Sequence, residues 1–179
     1  MKKLGLKGRS WLKGFHIFFA CAWVGTGISM MALALLSGNV INGDELYAVN
    51  ASIKVLDDYI IIPAAMGSLI TGLLISLYTN WGFFKFNWVI FKWAATAAQI
   101  IFGTFWLGPW TNGATAISDL ERGRALLNSV YLHDKQMALI FGGIQVLLLI
   151  VQVLISAYKP WGKRGAKGQT QGDGSRVSF

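Results

Sequence analysis

The chain has 179 residues, of which 54% are hydrophobic and only 13% are Asp, Glu, Lys or Arg. This composition is too apolar for a soluble domain of this length and indicates a membrane protein. The formal net charge is +8, but the basic residues lie almost wholly in the N-terminal segment, a short middle loop and the C-terminal tail. We therefore expect no nucleic-acid partner, and we expect the basic residues to meet the lipid bilayer at anionic head groups on its cytoplasmic face.

Four apolar runs are each long enough to cross a hydrocarbon core of about 30 Å as a helix. They predict an all-α, polytopic membrane protein with four transmembrane helices in a bundle. The expected spans are about 15–36, 59–78, 88–107 and 137–158, so that residues 1–158 form one transmembrane domain. Residues 159–179 are basic and rich in Gly, and we expect them to be a disordered cytoplasmic tail.

Two prolines mark expected helix boundaries. Pro63 should kink the second helix or begin its membrane span, and the periodic segment 45–58 before it could make one long bent helix. The third helix is expected to end at Gly108-Pro109. An amphipathic helix over 118–134 could then lead into the fourth span.

The distribution of Lys and Arg predicts the orientation of the bundle. Both terminal segments are basic, whereas the first long loop is acidic and the second is roughly balanced. Because cytoplasmic segments of membrane proteins carry an excess of Lys and Arg, we expect both termini in the cytoplasm.

Two ionisable side chains fall within the predicted spans, near their cytoplasmic ends. Lys92 could extend along its helix to the head groups, and His16 could bond a backbone carbonyl at the interface. If their helices are neighbours, both residues would instead face one cytoplasmic-side cavity suited to an anionic ligand or haem b. His16 would then be an axial ligand of the iron, with Lys92 near a propionate or the second axial site. Trp23 and Gln99 share the faces of these helices and belong to the predicted cofactor site.

His133 is expected at the opposite end of the bundle, before the fourth span. It could bind a metal ion together with Asp57 or Asp58, or it could lie in a solvated, salt-bridged loop. On the fourth span, Gln145 and Gln152 recur on one face. They could either join helices or line a cavity that holds water or a ligand.

Three segments of the sequence, WLKGFHIFFACAWVG (11–25), LDDYIIIPAAMGSLITGLL (56–74) and NWGFFKFNWVIFKW (80–93), resemble a bacterial four-helix integral membrane family of unknown function. The first is also distantly similar to the copper-resistance D and membrane-bound protoporphyrinogen oxidase families. The latter has a helix-one histidine and a helix-three lysine, which His16 and Lys92 match. This resemblance implies b-type haem and a location in the bacterial cytoplasmic (inner) membrane. That family's Pro-Arg-Leu segment and further histidine are replaced here by SMMALALLSGN, which argues against the same enzymatic activity.

Three functions follow as hypotheses, and the sequence leaves open whether any reaction is catalysed. The first is binding of haem or a related anionic cofactor with a redox-linked role. The second is transport of a small solute or a copper-like metal ion, suggested by the Gln145 and Gln152 stripe and by Pro63, with a homo-oligomer or a second conformation opening a path. The third is a non-catalytic scaffold or assembly factor that uses the small residues from Ser68 to Thr79.

Overall fold

The computed structural model describes residues 4–40, 42–79 and 81–161. Its α-helical segments in this part of the chain are α1 (Leu6–Leu36), α2 (Gly43–Leu56), α3 (Ile62–Tyr78), α4 (Asn87–Phe102), α5 (Gly108–Glu121) and α6 (Ser129–Tyr158). A π-helical turn at Asp57–Ile61 joins α2 to α3, and a second one at Gly103–Leu107 joins α4 to α5. The described chain therefore consists of four long helices, which confirms the predicted all-α bundle.

Each of the four helices is long and apolar enough to cross a membrane. Their bounds are Leu6–Asn39, Gly43–Tyr78, Asn87–Leu127 and Ser129–Tyr158. The first has 34 residues, which at a rise of 1.5 Å per residue gives a length of roughly 50 Å. The helices thus extend beyond a hydrocarbon core of about 30 Å. The predicted disordered tail covers 159–179, of which 162–179 lie outside the described residues.

The two prolines do not end their helices. The N–H of Ile62 bonds to the carbonyl of Asp57, and the N–H of Gly108 bonds to the carbonyl of Gly103, so that both turns are one residue wider than an α-turn. A proline lacks an N–H and its ring clashes with the carbonyl four residues earlier. The wide turn absorbs this defect, and the helix continues. The expected end of the third helix at Gly108-Pro109 was therefore wrong, whereas the long second helix is observed.

The helices pack in the order second, first, fourth and third around the bundle. The first helix, α1, packs against α3 and α6, and α6 packs against α4 and α5. The ring closes only at one end, where α2 packs against α5. In the other half, α3 and α4 make few backbone contacts, and the side chains of Ser76 and Trp93 bridge them through a hydrogen bond of 3.3 Å.

Both termini of the described chain lie at the end of the bundle where α3 ends and α4 begins. The N–H of Leu4 bonds to the carbonyl of Tyr78 at 3.3 Å. At the other terminus, the Lys159 ammonium lies 4.8 Å from the centre of the Trp81 ring. We call this end of the bundle the terminal end, and the end at which α2 meets α5 the distal end.

Two clusters of buried side chains form the core. The central cluster contains Trp23, Ala64, Ala65 and Leu149, and the distal cluster contains Leu46, Ala114, Ala125 and Tyr131. Small residues allow close approach of the helices around the central cluster: a Cβ on Gly67 would overlap the ring of Phe19, and one on Gly27 would lie 3.0 Å from Val146. Such close packing of small residues is the usual basis of helix association in lipid.

Candidate functional site

A cavity of about 510 Å³ lies between the central and distal clusters. All four long helices contribute to its wall, including Trp23, Ala65 and Leu149 from the central cluster and Ala114 from the distal one. Ligand sites for small organic molecules are usually about 300–1,000 Å³. The cavity is therefore large enough for such a molecule.

The cavity reaches the bundle surface in the gap between α3 and α4. Ile62 and Met66 on α3 line it, yet they remain 51% and 45% exposed. On the facing helix, Thr104 also lines the cavity and is exposed. Because this side of the bundle faces lipid when the helices span a membrane, the gap would connect the cavity with the bilayer.

Both π-helical turns line this cavity. The first contributes Asp57, Asp58 and Ile61, and the second contributes Gly103 and Thr104. In each helix the proline lies six residues after the first residue of the turn. The same arrangement of a π-turn followed by a proline therefore occurs on two walls of the cavity. The π-turns of helices are frequently found at functional sites. This coincidence favours the cavity as the functional site.

The wall is mostly apolar, with polar groups at its two ends. Met30, Met31 and Met66 provide thioether side chains along the middle. Thioethers are polarisable and adapt to the shape of a ligand. The distal end carries two acidic residues, one Lys and two amides: Asp57, Asp58, Lys135, Asn50 and Asn112.

A ladder of amide hydrogen bonds joins α4 to α6 beneath the cavity. Gln152 accepts from the Thr96 hydroxyl at 2.9 Å and donates to the Gln99 side-chain carbonyl. The Gln99 amide in turn donates to the backbone carbonyl of Gln145 at 3.0 Å. The paired glutamines of the fourth helix thus hold two helices together, and Gln99 and Gln145 also line the cavity.

His16 and Lys92 lie nearer the terminal end and do not line the large cavity. The Lys92 ammonium donates to the Ser156 hydroxyl at 2.6 Å. His16 Nδ1 is 2.9 Å from Thr71 Oγ1, which itself lies 2.6 Å from the Gly67 carbonyl. Lys92 is close enough to act electrostatically on the imidazole. The structure thus brings the two residues near each other, each with a partner on a neighbouring helix.

The short contact of Thr71 Oγ1 with the Gly67 carbonyl favours one tautomer of His16. When the single proton of the Thr71 hydroxyl goes to that carbonyl, Thr71 accepts from the histidine. In this arrangement Nδ1 carries the proton, and Nε2 keeps its lone pair. A hydrogen bond that fixes one nitrogen in this way orients the other for ligation.

The residues predicted for one cofactor site fall into two groups. Trp23 and Gln99 line the large cavity, whereas His16 and Lys92 lie in a separate layer. His133 is largely exposed and bonds to Asp134 at 3.2 Å. Among the described residues, no three or more His, Cys, Asp or Glu side chains converge as metal ligands do.

The stripe of small residues suggested as a scaffold surface faces the bundle interior. Ser68, Thr71, Ser76 and Thr79 are each 7% exposed. Ser68 Oγ is buried without a hydrogen-bond partner among the described residues. These four side chains therefore pack between the helices of the bundle.

Sequence reasoning missed Lys135 and the role of Asp57 in the cavity. Lys135 donates to the backbone carbonyl of Ser37 at 3.0 Å and lies 5.9 Å from the centre of the Tyr131 ring. The sequence suggests Asp57 only as a possible metal ligand with His133. The one signal for its place in the cavity is an acid six residues before a proline, at the start of an apolar run. The spacing alone, however, does not show that the helix widens there.

Comparison with known proteins finds no family model that matches this chain, and neither a curated protein nor a solved structure that is similar to it. The function is therefore inferred from the geometry of the cavity and of the His16 layer.

Proposed function

We propose that the protein is a membrane binding protein or carrier for a small amphipathic molecule, which enters the cavity from the bilayer between α3 and α4. The observation that carries this proposal is the cavity of about 510 Å³, which all four helices line. Its apolar middle suits the body of such a molecule, and its polar ends suit a head group. Of the three functions that the sequence suggests, this one is closest to transport of a small solute.

We further propose that both termini face the cytoplasm and that the membrane is a bacterial inner membrane. The support is the basic character of both terminal segments, since the positive-inside rule places such segments in the cytoplasm. The cavity would then lie toward the outer half of the bilayer, on the side of the acidic loop.

Filling the cavity should abolish binding. A Cβ on Gly103 would meet only Gln145 Nε2, at 3.9 Å, so Gly103→Leu directs a side chain into largely open space. We expect 4-phenylbutan-1-ol, a neutral probe, to raise the melting temperature of the detergent-purified wild type by about 5–10 °C when its concentration is about 100 times Kd. The Gly103→Leu variant should show little or no shift.

The matched control is Gly25→Leu, because Gly25 is exposed on α1 and does not line the cavity, and a Cβ on it would meet nothing within 4 Å. This variant should respond to the probe as the wild type does. The melting curves without probe show whether each variant keeps its fold. An equal shift in wild type and Gly103→Leu would contradict a site in the cavity.

A second proposal is that His16 binds haem in the terminal half of the bundle. The observation in its favour is the Thr71 hydrogen bond to Nδ1, which leaves the Nε2 lone pair available as an axial ligand. The unused hydroxyl of Ser68 lies in the same layer. Bound haem would supply the redox chemistry, and His16 and Lys92 would hold it.

Visible absorption of the purified protein tests the haem proposal. With haem precursor supplied during expression, we expect a Soret band in the wild type that is lost in His16→Ala. The sequence has two histidines, and His133→Ala is the matched control because that side chain is largely exposed. A colourless wild type, or a band that survives His16→Ala, would overturn this proposal.

A further inference from the structure

Asp57 is a carboxylate without a hydrogen-bonding partner in the wall of the cavity. It is half-buried in the first π-turn, and none of the described residues donates a hydrogen bond to it or forms an ion pair with it. Asp57 lines the cavity together with Met30 of α1 and Ile61 of its own helix.

The other charges around the cavity already have partners. Asp58 forms an ion pair with Lys54 at 2.8 Å, and Lys54 also donates to Asn112 at 2.7 Å. Lys135 donates to the Ser37 carbonyl on α1 and forms no ion pair with Asp57. Lys54 also acts electrostatically on Asp57 but donates its hydrogen bonds to Asp58 and Asn112. Asp57 is therefore the carboxylate in the wall to which a ligand can donate.

The opposite wall offers another unused acceptor. Gln145 uses its amide N–H to bond to the Gln99 backbone carbonyl at 3.3 Å, while its side-chain oxygen accepts no hydrogen bond from the described residues. Two free acceptors in a largely apolar cavity favour a ligand that donates hydrogen bonds. Because a charged side chain within a membrane usually marks a functional site and pairs with an opposite charge, a cationic donor fits best.

We propose that the cavity selects a small organic amine in its protonated form, with the ammonium group on Asp57 and the apolar body against the Met and Ile side chains of the wall. This inference rests on the proposed function, since it names the class of ligand that the same cavity takes.

Three probes that share one apolar body test the inference. They are 4-phenylbutylamine, 4-phenylbutan-1-ol and 4-phenylbutanoate, and Kd is measured from the shift of the melting temperature at neutral pH. We expect the wild type to bind the amine at least about tenfold more tightly than the alcohol, and the carboxylate most weakly. Asp57→Asn keeps the shape of the side chain but removes its charge, so it should remove the preference for the amine over the alcohol.

The charge control is Glu45→Gln, because Glu45 precedes Asp57 on the same helix and does not line the cavity. It should keep the preference of the wild type for the amine. Equal binding of amine and alcohol by the wild type, or an unchanged preference in Asp57→Asn, would overturn the inference while leaving the cavity site in place. No binding of any probe would overturn both the inference and the proposed function. The comparison of the Kd values of the amine and the alcohol for the wild type tests the inference even if Asp57→Asn does not fold.

Discussion

Gln99→Leu is expected to lower the free energy of unfolding by about 1–3 kcal/mol. Gln99 is only 4% exposed and is the centre of the ladder between α4 and α6, where it bonds to Gln152 and to the Gln145 backbone. Leucine has a similar size but no polar atoms, so the Gln152 amide loses its acceptor and stays buried. A buried polar group without a partner costs more than the lost bond alone. Denaturant unfolding in mixed micelles measures the change.

The double variant Gln99→Leu with Gln152→Leu shows whether the destabilisation comes from the unpaired Gln152 amide or from a loss of packing. Replacing both partners by apolar groups of similar shape removes the stranded amide, although Thr96 then loses its acceptor. We expect the double variant to be less destabilised than the sum of the two single variants, by at least about 0.5 kcal/mol. Strict additivity would show that the ladder does not act as a unit.

Gly43→Ala is expected to destabilise the distal end by about 1–3 kcal/mol. Gly43 begins α2, and a Cβ there would overlap the backbone N of Gly123 and atoms of Arg122. Backbone cannot move aside as a flexible side chain can, and Arg122 is further held by Asp119 at 3.1 Å and by the Tyr47 ring. The first turn of α2 must therefore separate from the segment after α5.

Gly38→Ala is the matched control in the same connection, because a Cβ on Gly38 would meet nothing within 4 Å. It should change the melting temperature by less than about 2 °C. If Gly43→Ala were as stable as Gly38→Ala, the contact between α2 and the segment after α5 would not hold the distal end closed.

The four helices could be predicted from the sequence, but their lengths could not. Apolar runs of about 20 residues have few alternatives to a membrane-spanning helix, so their number and type could be predicted. Because proline removes a backbone hydrogen bond, the sequence alone predicts a helix end at Pro109. The π-turn at Gly103–Leu107 accommodates it, and packing of α5 against α2 and α6 supports the continued helix. That support comes from residues distant in sequence, which a local pattern does not reveal.

The candidate site was harder to predict. The helical period predicts that Trp23 and Gln99 share the faces of His16 and Lys92. Both do face the interior, but they line the large cavity, and His16 and Lys92 do not. The helical period shows which face of its helix a residue occupies. It does not show at what depth in the bundle two helices move apart. The gap between α3 and α4 lies next to both π-turns and to the end of the bundle where α2 packs against α5, and these features come from contacts distant in sequence. For the same reason Asp57, which the sequence suggested as a surface metal ligand, lies in the cavity wall.

The central claim is that a molecule from the bilayer occupies the cavity, and photolabelling maps this most directly. The protein in lipid nanodiscs is irradiated with an alkyl diazirine alcohol, and the modified peptides are identified by mass spectrometry. We expect adducts on the buried cavity residues Trp23 and Ala65 in the wild type and in Gly25→Leu, reduced at least about tenfold in Gly103→Leu. Adducts confined to exposed lipid-facing residues such as Ile17 and Leu147, or equal cavity labelling in Gly103→Leu, would contradict the claim.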